Sequence, residues 1–243
     1  AQATREVLLQ LSGVLTRNKP LILTAKGLET GTLLRQSQIA HELCPDVPLA
    51  VLSGPSFAAD LDAGLPTAVT LASTWQDAPS LQAQLATTVL RPYLTDDVPG
   101  TELGGALKNV IAIAAGTALG AGLGESARAA VIARGFAEMS RLAEAMGARR
   151  DTLMGLSGLG DLTLTCTSEK SRNLTFGIRL GAEGRTDPET TTEGRVTARA
   201  AADMAAGLGL ETPLAATVAD LVEGRISVAE AIDGLISRPL RWE

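Results

Sequence analysis

A single change of periodicity constrains the fold more than any other feature. Residues 20–24 (PLILT), 49–53 (LAVLS) and 67–71 (TAVTL) are short β-rich runs, and between and around them the patterns over 4–15, 32–43, 56–63 and 79–90 repeat at helical spacing. That alternation predicts a parallel sheet covered by helices. From about Glu102 the strand pattern stops. Leu103, Ala106, Leu107, Val110, Ile111, Ala114, Ala118 and Leu119 recur at helical spacing, and 126–146 continues the pattern until Gly147 caps it. Shorter helices are expected over 195–206, 213–223 and 227–237. The expected fold class is therefore α/β followed by all-α, with a seam at Pro99-Gly100 and domains over 1–99 and 100–243.

Composition removes several function classes. A formal charge of −6 and aromatics at 2% give neither the electrostatic footprint nor the stacking platforms of a nucleic-acid binder. No apolar run is expected to cross a bilayer, because Arg, Glu or Gly interrupts each candidate before ~20 residues. No basic segment precedes an apolar signal core at the N-terminus, so a cytoplasmic protein is the default expectation. His41 is the only histidine, and Cys44 and Cys166 lie far apart in sequence. Ser-His-Asp, Cys-His and multi-histidine metal chemistry are therefore disfavoured, and no metal is expected. Proton transfer falls to lysine or a carboxylate.

Lysine is scarce: only Lys19, Lys26, Lys108 and Lys170 occur, and arginine supplies the other 17 of the 21 basic side chains. A lysine in a poorly solvated site can lose its proton near neutral pH, whereas arginine stays charged. Lys108 stands in GGALKNVIAIAAG (104–116), with Gly104 and Gly105 on the turn before it and no acid at i±3 or i±4. The helix is apolar or small all round over 110–115, which predicts burial on every side. Gly104, Gly105, Lys108, Ala112 and Ala115 then make a slim face open to another backbone or a ligand. The plainer alternative is a stem that packs while the amine snorkels to water; the glycine pair and Asn109 favour the buried reading.

Two strand ends face the rim where sheet domains of this kind bind ligands: Thr24-Ala-Lys26-Gly27 and Ser53-Gly54-Pro55-Ser56-Phe57-Ala58. The second also reads as a helix start capped by Ser53 or Ser56, and Lys26 as a loop lysine in solvent. Downstream, GLSGLGDLTLTCTSEKSRN (155–173) has three glycines that shape a turn, then Asp161 and Thr165 at i and i+4 on one helical face. Ser171, Arg172 and Asn173 read either as a phosphate grip or as a polar helix N-terminus. GLSGLG follows no strand and reverses the dinucleotide fingerprint, so it is not one.

The blocks TAKGLE (24–29), SGPSFA (53–58), ELGGALKNVIAIAAG (102–116), ARGFAEMSRLAEAMGA (133–148), GLGDLTLTCTS (158–168) and SRN (171–173) together resemble the bacterial NAD(P)-dependent glycerol-3-phosphate dehydrogenases, in order and across most of the chain. The resemblance implies a partial Rossmann-type parallel sheet domain, then a helical substrate and dimerisation domain. It implies interconversion of sn-glycerol 3-phosphate and dihydroxyacetone phosphate, with NAD or NADP, for phospholipid precursor supply. By it, Lys108 is the catalytic base and Asp161 the acid beside it. Substrate contacts fall on Lys26, Gly54, Ser56, Lys108, Asn109, Asp161, Thr165, Ser171, Arg172 and Asn173. Cofactor contacts fall on Lys26, Ala58 and Arg172, and on Thr191 and Glu193 in TTEG, where the family has VVEG. A homodimer through the helical domain is the expected assembly.

The family's opening strand and GxGxxG turn are not found in this sequence, which reads as starting partway through the nucleotide-binding domain. Weak dinucleotide binding and little turnover are expected of these residues alone. The alternatives are a two-domain dehydrogenase acting on a hydroxy acid, or an inactive chain that only binds ligand or dimerises.

Overall fold

A computed structural model describes residues 1–184 and 192–237. The first part alternates helix and strand: α1 (Thr4–Leu11), β1 (Leu21–Leu23), α2 (Gln36–Leu43), β2 (Leu49–Ser53), α3 (Ala58–Asp62), β3 (Thr67–Ala72), α4 (Ala78–Leu85) and β4 (Leu90–Thr95). The strands form one sheet in the order β1-β2-β3-β4. Both faces are covered, as the period of two along each strand requires. Val51 turns to Leu8, Leu23 and Ile39 on the side of α1 and α2, while its neighbour Ala50 turns to Leu71 and Leu81 on the side of α4.

Two features depart from the expected parallel sheet. β1 and β2, and β3 and β4, pair in parallel, but β2 and β3 pair antiparallel, with Val51 opposite Ala72. The reason is the short helix between them. A helix over 56–63 was expected; α3 has 5 residues, roughly 7 to 8 Å of rise against ~20 Å for a strand of six, so it cannot carry the chain back along the sheet for a parallel crossover. The chain turns at Gly64 and returns alongside instead. The second departure is β4, a strand that was not expected; the helix expected over 79–90 ends early and makes room for it. α4 stops at Leu85 because Ala86 is extended, and Thr87 Oγ1 then accepts from Val89 N at 3.2 Å and Leu90 N at 2.9 Å. The β-branched run Thr87-Thr88-Val89 was the available signal. Pro92 sits in this strand because an edge tolerates the missing donor.

From Val98 the chain is helical: α5 (Val98–Gly120), α6 (Gly124–Ala145), α7 (Arg150–Met154), a π-helical turn (Leu156–Gly160), α8 (Asp161–Thr167), α9 (Arg172–Glu183), α10 (Glu193–Gly207), α11 (Pro213–Val222) and α12 (Val228–Ile236). α5 opens with Pro99 in its first turn and Asp97 Oδ1 accepting from Gly100 N at 2.9 Å, so the expected seam is where a new helix begins. At 23 residues, α5 is long and apolar enough to cross a bilayer, contrary to the expectation that no run was; 89% of its apolar stretch is buried within the protein. It is a core helix. α6, α8, α9 and α10 pack around it, and it also touches β2 and β3. Against α9 the approach is close enough to exclude side chains: a Cβ on Gly177 would meet Ile113 O at 2.2 Å, and one on Gly116 would meet Leu174 O at 2.2 Å. Leu103, Val110, Ile111, Ile113, Leu142, Leu162 and Leu174 fill the surrounding core.

Candidate active site

Lys108 lies at mid-height on α5 and is 6% exposed, so the buried reading holds against the snorkelling one. Its Nζ donates to Asp161 Oδ1 at 2.5 Å and to Thr165 Oγ1 at 2.7 Å. Asp161 and Thr165 occupy one face of α8, one turn apart, as their spacing predicts. The turn before them is π-helical, with Gly160 N bonded to Gly155 O at 3.0 Å, and Ser157 O lies where a Cβ on Gly104 would be, 2.6 Å away. The bare Gly104 thus lets the backbone preceding Asp161 lie flat on α5.

Lys26 arrives from the other lobe. It follows β1, and its Nζ donates to Asp161 Oδ2 at 2.7 Å and to Gly54 O at 3.1 Å. Its stem crosses Gly105, where a Cβ would meet Ser53 Oγ at 2.7 Å and Lys26 Cγ at 3.4 Å. The slim face expected of α5 is therefore used twice, by the backbone leading to Asp161 and by the stem of Lys26. One carboxylate, 1% exposed, joins two lysines from segments far apart in sequence. Burial, with the Lys26 charge added, pushes the Lys108 ammonium down to about 8, against the attraction of Asp161. Cys166, next to Thr165, is pushed up to about 12 by burial, which keeps its thiol protonated and unreactive beside Lys108.

The remaining expected residues separate into those drawn into the cluster and those beside it. Gly54 follows β2 and supplies the carbonyl under Lys26; Ser56 Oγ donates to that same carbonyl at 3.4 Å. Neither Ser53 nor Ser56 caps α3, whose N-cap is Phe57, and Ala58 is exposed at its first position. Asn109 Nδ2 donates to Glu193 Oε2 at 3.3 Å, which brings the head of α10 to the catalytic helix. Asn173 Oδ1 accepts from Gly194 N at 3.0 Å, so the start of α9 meets the start of α10. Ser171 Oγ accepts from Leu174 N at 3.2 Å and is the N-cap of α9, the plainer of its two readings. Arg172 is exposed at the first position of that helix. Thr191 lies outside the described residues. Gln36, Arg35 and Glu102 were not singled out from sequence, although they join the Lys26 loop to α5; a lone acid in the opening turns of an otherwise apolar helix was the available signal for Glu102.

A sheet lobe whose strand ends meet a helical lobe over a buried lysine and carboxylate defines a two-lobed α/β protein with a buried acid–base cluster. The chain belongs to the NAD-dependent glycerol-3-phosphate dehydrogenase family: the N-terminus pattern of that family matches residues 1–78 and its C-terminus pattern residues 97–233. It is 54% identical over 237 residues to the glycerol-3-phosphate dehydrogenase (NAD(P)+) of Cereibacter sphaeroides, covering 97% of this chain and 78% of that protein. It is 56% identical over 224 residues to that of Paracoccus denitrificans, covering 92% and 71%. The crystal structure of glycerol-3-phosphate dehydrogenase from Coxiella burnetii matches with a TM-score of 0.91 at 37% identity, over 97% of this chain and 74% of that one.

Proposed function

We propose that this protein interconverts sn-glycerol 3-phosphate and dihydroxyacetone phosphate, with Lys108 as the proton-transfer group. The observation that carries the reading is a buried amine, held at 2.5 Å by Asp161 and at 2.7 Å by Thr165, whose titration is lowered to about 8. A general base works best when its pKa lies near the operating pH. In oxidation Lys108, in its neutral form, takes the C2 hydroxyl proton; in reduction the ammonium returns that proton to the carbonyl oxygen. Asp161 holds Lys108 and Lys26 in place, and its position suits it to receive a substrate hydroxyl.

Bound NAD or NADP would supply the hydride acceptor and donor for C2. The strand-end rim fits such an anionic dinucleotide: Lys26 brings a cation there, Ser53 Oγ is buried near its stem without a hydrogen-bond partner, and Ala58 is exposed at the first position of α3. Lys26, Ala58, Arg172 and Glu193, with Thr191, are the residues proposed to hold it. Arg172 and Asn173, with Ser171 fixing the turn that presents them, are proposed for the substrate phosphate. The Gly194 bond to Asn173 Oδ1 leaves Nδ2 as the donating end of that amide. On this reading residues 1–99 serve the nucleotide and 100–243 the substrate, and the enzyme is a cytoplasmic homodimer supplying phospholipid precursors.

The test is kcat/KM measured in both directions across pH with the purified protein. Oxidation is expected to rise with pH through about 8, because it needs the neutral amine, and reduction to fall through the same point, because it needs the ammonium. Profiles flat from about pH 7 to about 9, or a hydroxy acid turned over as well as the phosphoester, would sink the reading.

A further inference from the structure

The two lysines meet at Asp161, yet a second route joins them. Gln36, the first residue of α2 and 1% exposed, donates its Nε2 to the carbonyl of Gly27 at 2.9 Å, immediately after Lys26. Gly27 has φ +156, a conformation that side-chain-bearing residues rarely adopt, so the chain direction leaving Lys26 is specified twice. The residues on either side of Gln36 are tied to α5. Arg35 Nη1 and Ser37 Oγ each donate to Glu102 Oε2 at 2.6 Å, and Ser37 N donates to Glu102 Oε1 at 2.7 Å. Glu102 is 7% exposed, and a carboxylate that deep must be paired. These three donors come from the start of α2. Glu102 and Lys108 share one rigid helix, about 9 Å apart along its axis. The connections close into a ring: Lys108 to Asp161 to Lys26, on to Gly27, across to Gln36, through Arg35 and Ser37 to Glu102, and back along α5.

We propose that Gln36 and Glu102 are positioning residues that hold Lys26 against Asp161 by closing this ring. The inference rests on the proton-transfer reading above and deepens it. A lysine side chain loses rotamer entropy when pinned, and the Lys26 side chain, 20% exposed, has an escape to water. Fixing the backbone on both sides of Gly27 brings the amine to Asp161 with less left to order. The groups facing Lys108 are Lys26 from the loop after β1, Asp161, Thr165 and Cys166 from α8, and Glu193 from α10. Of these the ring governs Lys26, whose ammonium opposes a second positive charge at Lys108. Releasing Lys26 removes that repulsion and leaves Asp161 to Lys108 alone, so the Lys108 titration moves up.

Four lysines make lysine-resolved carbon-13 NMR tractable, with Lys19→Arg, Lys26→Met and Lys170→Arg assigning the signals. In the unaltered chain Lys108 is expected to titrate at about 8. Gln36→Leu and Glu102→Gln are each expected to raise that midpoint by about half a unit or more. With Lys26→Met already present, leaving no ammonium to position, Gln36→Leu is expected to leave the midpoint where it is. A general loss of packing would not show that dependence. If Gln36→Leu does not fold, Gln36→Asn, whose shorter amide falls short of the Gly27 carbonyl, carries the same expectation. An unmoved midpoint in the folded single variants, or an equal shift with and without the Lys26 ammonium, overturns the proposal. The NMR midpoint needs no turnover, so failure of the dehydrogenase reading would register separately, as a hydroxy acid turned over as well as the phosphoester.

Discussion

At neutral pH the folded chain carries a Lys108 ammonium that its own burial disfavours. Folding lowers that group from an ordinary ~10.4 to about 8, so between those values the unfolded chain binds more protons than the folded one. Stability from this residue therefore rises with pH across that window, and below about 8 the full penalty applies. At about 1.4 kcal/mol per unit the penalty is on the order of 3 kcal/mol. Lys108→Met keeps the stem and removes the charge. It is expected to raise the melting temperature at pH 7, with the gain fading as pH climbs toward about 10, and to reduce kcat by a factor of about 100 to 10,000. Melting curves at several pH values, read beside kcat, check both; a variant destabilised at pH 7 would mean that the bonds to Asp161 and Thr165 outweigh burial.

Among the elements, the crossing of α5 and α9 has the least room. Gly177→Ala would drive a Cβ to 2.2 Å from the Ile113 carbonyl, which is backbone and cannot step aside, so the helices must separate. Overpacking of this kind costs about 1–3 kcal/mol, or roughly 2–4 °C in Tm per kcal/mol for a chain of this size. Gly207→Ala, at the exposed end of α10 with nothing within 4 Å, is expected to stabilise by up to about 1 kcal/mol through helix propensity. Thermal melts of the two variants should move in opposite directions. An upward shift in both would mean that propensity, not the close approach, governs this packing. Both glycines look alike in sequence. Only the neighbouring helix separates them.

For the whole molecule, α5 acts as shared core. It packs against β2 and β3 as well as α6, α8, α9 and α10, and Glu102 and Lys108 bond to segments on both sides of it. α5 fills the core of the helical lobe and is also joined to the sheet lobe through β2, β3 and the Glu102 bonds to the start of α2, so unfolding is expected to be one cooperative transition. Trp75 lies in the sheet lobe and Trp242 near the C-terminus; with Trp242→Phe in place, fluorescence reports the sheet lobe while circular dichroism at ~222 nm reports mainly the helices. The two urea curves should coincide. Separated midpoints would show that the lobes unfold independently.

Local pattern determined much of this protein. The switch from β-rich alternation to helical spacing near Pro99, the burial of Lys108, the shared face of Asp161 and Thr165, and the bare face at Gly104 and Gly105 all follow from periodicity and residue size over a few turns. Tertiary structure decided what depends on segments far apart. The antiparallel return of β3 follows from a helix too short to span the sheet, and the pairing of Lys26 with Asp161 across 135 positions from two lobes meeting. The placing of Gln36 and Glu102 behind that pair has the same origin. A sequence pattern records which residues share a face of one element; which faces then come together is settled by the close packing of all of them at once.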